Sequence, residues 1–175
     1  MFSTASKSIQ GKLVAFGLAA ALLAAGCGGT RPKSSAVGPG EAPAPTGGDT
    51  VYSLADEVGE QLDRFADAMA RVKQDGTVEQ ARRAKQAAAE VAAEIQAIAG
   101  RLQRLEVPPD EVKREIAEQG REREQAIRDR LGTQSELIEG LDPEVAAIVR
   151  EVMRSFRSEL EEPGAIFDRY FEALP

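Results

Sequence analysis

Histidine is absent from the 175 residues, and cysteine occurs once, at Cys27. These gaps remove the usual general base, the commonest metal ligand and any thiol nucleophile away from that one position. They also remove disulfides, so the fold must stand on packing alone. No glycine-rich phosphate loop, no G-x-S-x-G and no Glu-x-x-His pattern occurs in the chain. Carboxylate-only sites suit calcium or magnesium, but no EF-hand spacing is present. Glu90 and Glu94 share one helical face, yet they flank an apolar seam and read as solvated. No catalytic residue, no metal site and no small-molecule substrate is expected. Basic residues are outnumbered 22 to 29, and without Lys7 and Lys12 the count is 20 against 29. A surplus of about nine negative charges makes nucleic acid and anionic lipid poor partners.

Long hydrophobic runs are also missing, with one short exception. Lys7 and Lys12 precede an apolar stretch from Leu13 to Ala25 that contains Val14, Phe16, Leu18, Leu22 and Leu23. Its length falls within the roughly 7–15 residues of a secretory h-region. A membrane-spanning helix needs about 17–25. Small residues Ala24, Ala25 and Gly26 then lead to Cys27. Such a segment directs export without forming a durable anchor.

The four residues Ala24, Ala25, Gly26 and Cys27, preceded by Leu23, resemble the lipobox of bacterial lipoproteins, with Ala24 where leucine is commonest. The resemblance spans residues 1–27 and does not extend to the rest of the chain. It implies cleavage between Gly26 and Cys27, a diacylglycerol on the Cys27 thiol and further acylation of the new amino terminus. Two or three acyl chains hold a protein stably on a membrane, where one gives marginal binding. The competing readings are an ordinary signal peptide with an unmodified cysteine, and an uncleaved anchor. Gly28 follows Cys27, whereas Asp at that place retains lipoproteins in the inner membrane of two-membrane bacteria. The expected location is therefore the outer face of the cytoplasmic membrane or, in a two-membrane cell, the outer membrane. The chain ends in Leu174 and Pro175, which does not fit the terminal lysine of short helical lipoproteins fastened to peptidoglycan.

Residues 27–50 hold the lipidated cysteine and a segment in which Pro32, Pro39, Pro43 and Pro45 alternate with small and polar residues. Val37 is its one large apolar side chain. Too little surface can be buried there to offset chain entropy, so a disordered tether is expected. Its roughly 22 residues give a typical span of about 25 Å and a maximum reach of about 75 Å.

Residues 51–175 are long enough for one domain with its own core. Apolar residues recur at threes and fours throughout, which predicts an all-α fold, and neither a strand pattern nor a fixed repeat is visible. Val51, Leu54, Val58, Leu62, Phe65, Met69 and Val72 mark a first helix, capped at Ser53 with Asp56 and ended by Gly76. Thr77 and Gln80 open a second of about 28 residues, running through Ala81, Ala84, Ala88, Val91, Ile95, Ile98, Leu102 and Leu105 to Pro108. Its alanines suit close helix packing. A third helix begins near Asp110 with Val112, Ile116, Ile127 and Leu131 on its apolar face, and continues or restarts before Gly140. From Glu118 to Gln125 it is entirely charged, Gln or Gly; ion pairs at i,i+4, Arg114 with Glu118 and Glu124 with Arg128, would support it as a solvated stretch. In the alternative, Arg121 to Glu124 overhang a bundle end and meet a partner. Asp142 and Pro143 open a fourth helix, stopped by Pro163 and Gly164.

The predicted architecture is an antiparallel bundle of three or four long, coiled-coil-like helices with a short C-terminal helix, on a disordered N-terminal tether. Ile166, Phe167, Tyr170, Phe171 and Leu174 form one apolar stripe in that last helix. The stripe either packs across an open bundle end or docks a partner. The functional expectation is a membrane-anchored, non-enzymatic envelope protein whose helical surface meets another protein, a polymer or itself. Self-association would complete the burial of the weakly apolar third helix. The alternative is a module that holds a small ligand or cation inside the bundle. No cofactor is expected beyond covalent lipid on Cys27.

Overall fold

Cap residues and apolar spacing explain the helices of the computed structural model, which describes residues 50–171. They are α1 (Val51–Asp75), α2 (Val78–Leu102), α3 (Asp110–Leu131), α4 (Gln134–Ile138), α5 (Pro143–Glu159) and α6 (Glu161–Phe171). No strand occurs among the described residues. The fold is an all-α helical bundle. Gly26, Cys27, the proposed tether and Leu174 lie outside the described residues.

Several boundaries differ from the sequence expectation for identifiable reasons. The N-cap of α1 is Thr50 rather than Ser53: Ser53 is the N3 partner, and the two exchange hydrogen bonds as a capping box. Thr77 caps α2 as expected, its hydroxyl accepting from the Gln80 amide. That helix has 25 residues rather than about 28. It ends at Leu102 because the Arg104 and Leu105 amides bond to carbonyls three residues back, tightening the chain before the prolines. Gly132, at φ 75°, stops α3, and the pattern restarts as α4 behind the Thr133–Glu136 capping box. Pro163 and Gly164 do not stop the fourth helix. It ends at Glu159, and both residues sit in the first turn of α6. Proline is tolerated there because first-turn amides lack helical partners, while its ring prevents α5 and α6 from joining into one straight helix.

Cross-helix contacts fix the directions. Arg101 of α2 grips Glu57 of α1 at 2.5 and 3.0 Å, and Arg64 lies 4.0 Å from Glu90, so α1 and α2 are antiparallel. Asp63 pairs with Arg123 and Asp67 with Arg130, which sets α3 parallel to α1. Lys85 pairs with Glu151 at 2.7 Å, and the Gln96 amide reaches the Glu159 carbonyl, so α5 runs parallel to α2. Successive long helices thus alternate in direction, with α1 and α2 forming the most extensive interface and α6 touching α2, α3 and α5. We call the end holding the start of α1, the 103–109 connection and the end of α6 the base.

Packing follows the apolar periods closely. Leu54, Val58, Leu62, Phe65, Met69 and Val72 of α1 are buried against Ala81, Ala84, Ala88, Val91, Ile95, Ile98 and Leu102 of α2. Phe65 stacks on Phe156 of α5 with ring centroids 4.0 Å apart and planes 10° apart. Such a pair adds about 0.5–1.5 kcal/mol beyond its buried area. Of the apolar face of α3, Ile116, Ile127 and Leu131 are buried within the same chain and Val112 is half-buried against the same core.

Candidate functional surface

The stripe of α6 belongs largely to the core. Phe167 is wholly buried, Tyr170 and Phe171 are buried, and Ile166 is half-buried against the same cluster. The Tyr170 hydroxyl donates to the Leu105 carbonyl at 3.1 Å, which satisfies the one polar atom the stripe takes inside. These side chains pack on their own bundle instead of forming a free docking face. Sequence spacing could not make this distinction, since the same threes and fours serve a core and a partner groove.

Arg121 to Glu124 sit midway along α3, in line with the reading of a solvated, ion-paired stretch, and not beyond a bundle end as in the alternative. Arg121 and Glu122 face solvent. Arg123 lies across α1, its Nε 3.4 Å from Asp63, and its guanidinium fills the space a Cβ at Gly59 would need. Glu124 accepts from Arg128 at 2.5 Å, as the i,i+4 spacing predicts. Arg114 does not pair with Glu118; it donates to the Asp110 carbonyl at 3.3 Å. Along the same seam Arg130 reaches Asp67 at 2.8 Å, and the Lys73 ammonium caps the Leu131 carbonyl at 3.2 Å. The seam between α1 and α3 is therefore polar and charge-matched.

Gly59 had no functional signal in the sequence, where a glycine inside a helix registers only as lost propensity. Its buried place beneath Arg123 gives a prediction. Alanine at 59 gains up to about 1 kcal/mol of helix propensity but evicts the flexible end of Arg123, whose partly exposed ion pair contributes about 0–1 kcal/mol. Gly59→Ala alone should therefore change stability by less than about 1 kcal/mol. The cost of Arg123→Ala should disappear in the Gly59→Ala background. A double-mutant cycle in urea measures this coupling, and an equal Arg123→Ala cost in both backgrounds would show that the seat is immaterial.

Other charged groups are engaged at the surface. Glu90 is exposed and accepts from Gln86; Glu94 is exposed one turn on. A hydrogen bond from Lys85 holds the Glu151 carboxyl below the ordinary glutamate range, and the backbone amide of Thr133 does the same for Glu136. Donation to Glu115 at 2.5 Å pushes the Tyr52 phenol up, helped by the nearby charge of Glu111. These are structural pairings on helix exteriors. Among the described residues no group of acids could hold a metal ion, and no buried side-chain nitrogen or oxygen lacks a partner. No described helix is long and apolar enough to cross a membrane.

Both charge signs occur on the exterior of every long helix, and Tyr52 and Val107 are the exposed large apolar residues among those described. No protein-family model, curated protein or solved structure matches the chain.

Proposed function

We propose that this is a lipid-anchored envelope protein, without enzymatic activity, whose helical bundle offers its outer surface to a protein or polymer partner. The observation that carries the reading is the passage from the Leu13–Ala25 run through Gly26 to the lone Cys27, followed by a proline-rich tether. Diacylglycerol on Cys27, with acylation of its amino group, holds the chain at the membrane. The tether gives the bundle about 25 Å of typical reach from it. Support for a surface role over an internal ligand comes from the core, whose buried positions are apolar side chains packed on one another, with Lys113 the buried charged residue.

Native mass spectrometry of the protein extracted from membranes tests both halves. The expected species begins at Cys27, carries two or three acyl chains and retains no small molecule. An unmodified Cys27 counts against the anchor. A retained ligand, or thermal stabilisation by one metal, counts against the surface role.

A further inference from the structure

Two rows of like charge run along different sides of the bundle. On α5, Arg150, Arg154 and Arg157 each follow a buried residue, Val149, Met153 and Phe156, so they line up on one flank of the core-facing stripe. On α3, Glu111, Glu115, Glu118 and Glu122 step by four, three and four from the base upward, all exposed and turned away from the buried Ile116 and Ile127. Neither the three arginines nor Glu118 and Glu122 have a side-chain hydrogen bond or ion pair among the described residues, and Glu115 accepts the Tyr52 hydroxyl through one oxygen only. Of the cations beside the glutamate row, Arg114 donates to the Asp110 carbonyl and Arg128 pairs with Glu124, which leaves Arg121. α3 packs on α1 and α6, and α5 on α2 and α6.

We propose that the partner of the bundle surface is a second copy of this chain, which lays the glutamate row of its α3 along the arginine row of α5. The proposal names the partner for the surface role argued above and rests on that reading. Copies standing in the same sense bring α5 of one against α3 of the next in antiparallel fashion, because the two helices run in opposite directions within the bundle. Read that way, the steps agree. Arg150, Arg154 and Arg157 advance by four and three, as do Glu122, Glu118 and Glu115 taken backwards, each row covering about 10.5 Å of helix. Arg150 thus meets Glu122, Arg154 meets Glu118 and Arg157 meets Glu115, with guanidinium and carboxylate matched for two-pronged hydrogen bonds. A two-fold contact of either row on itself would oppose like charges. The contact is therefore head-to-tail and adds copies in a line or ring. One exposed ion pair is weak, but three in register act together among copies that the membrane holds at high effective concentration.

Membranes from cells co-expressing a Glu118→Cys chain and an Arg154→Cys chain, treated with a short bis-maleimide, test the pairing. A crosslinked dimer is expected with both chains and with neither alone, and one chain carrying both substitutions should give a ladder. Arg150→Glu in the Arg154→Cys chain should lower the dimer yield about fivefold or more. Glu122→Arg in the Glu118→Cys chain should restore it, which also shows that the reversed chain is folded. No dimer, a dimer from one variant alone, or a loss that Glu122→Arg does not rescue overturns the proposal. An alkyne fatty-acid label on the same cells reads the anchor separately. Acylated chains that fail to crosslink reject the pairing and leave the anchor standing. Unlabelled chains that still crosslink, with Cys27→Ala in both to remove its thiol, reject the anchor and keep the pairing.

Discussion

Replacing Cys27 with alanine will abolish acyl labelling and remove the protein from its membrane fraction, while the bundle unfolds at an unchanged temperature. The two halves of this result have separate causes. Each acyl methylene buried in the bilayer contributes about 0.8 kcal/mol, so two or three chains give an attachment that the short Leu13–Ala25 run cannot replace. The core, by contrast, is assembled from residues between Leu54 and Phe171. In the proposed arrangement about 22 residues separate Cys27 from α1, so loss of the lipid is expected to leave the helices unstrained. Metabolic labelling with an alkyne fatty acid, fractionation and a thermal melt read all three quantities. An unchanged membrane fraction with intact label would reject the anchor; a lowered melting temperature would show that the N-terminal region contributes to the fold.

Phe167→Ala will destabilise the bundle by about 3–5 kcal/mol, the usual cost of removing a fully buried aromatic ring. Phe167 has no exposed surface and stacks on Phe171, and α6 touches three other helices, so a cavity there loosens α2, α3 and α5 together. Stability for a domain of this size is about 5–15 kcal/mol. The loss is therefore a large share of the total and should lower the melting temperature by about 12–20 °C. Urea and thermal denaturation measure it. Ile166→Ala, at the half-buried neighbour, should cost clearly less. Were the stripe a docking face, both substitutions would leave the melt unchanged.

Much of this architecture was legible because α1, α2 and α5 each repeat apolar residues over many turns, and a long period survives local exceptions. Its failures sit where one residue type has two uses. Ser53 looks like an N-cap and is an N3 partner. Leu105 fits the apolar period of α2 although it lies in a tightened turn beyond the helix. Pro163 signals a stop, yet a first helical turn accommodates it. Gly59 and Arg123 are 64 positions apart in the sequence, and no local pattern says that one seats the other. Parallel contact between α1 and α3 was similarly invisible, because alternation along the chain does not specify which non-consecutive helices meet. The surface role is the least legible part. Charged exteriors of helices look alike whether they face water or a partner, and only Cys27 carries a chemistry that its neighbours define.

The sparse seam of α3 has a kinetic consequence. Across its 22 residues this helix buries Lys113, Ile116, Ala117, Ile127 and Leu131, while α1 buries eight residues in 25. An ion pair at its middle, Arg123 with Asp63, and one at its end, Arg130 with Asp67, tie it to α1 through partly exposed side chains, each contributing about 0–1 kcal/mol. The bundle should thus open in stages, with α3 swinging out before the α1–α2 hairpin loosens. Hydrogen exchange in its central turns would then report a sub-global opening below the energy of global unfolding. In that opened form Asp63 and Asp67 lose Arg123 and Arg130, and a new acidic strip appears on α1.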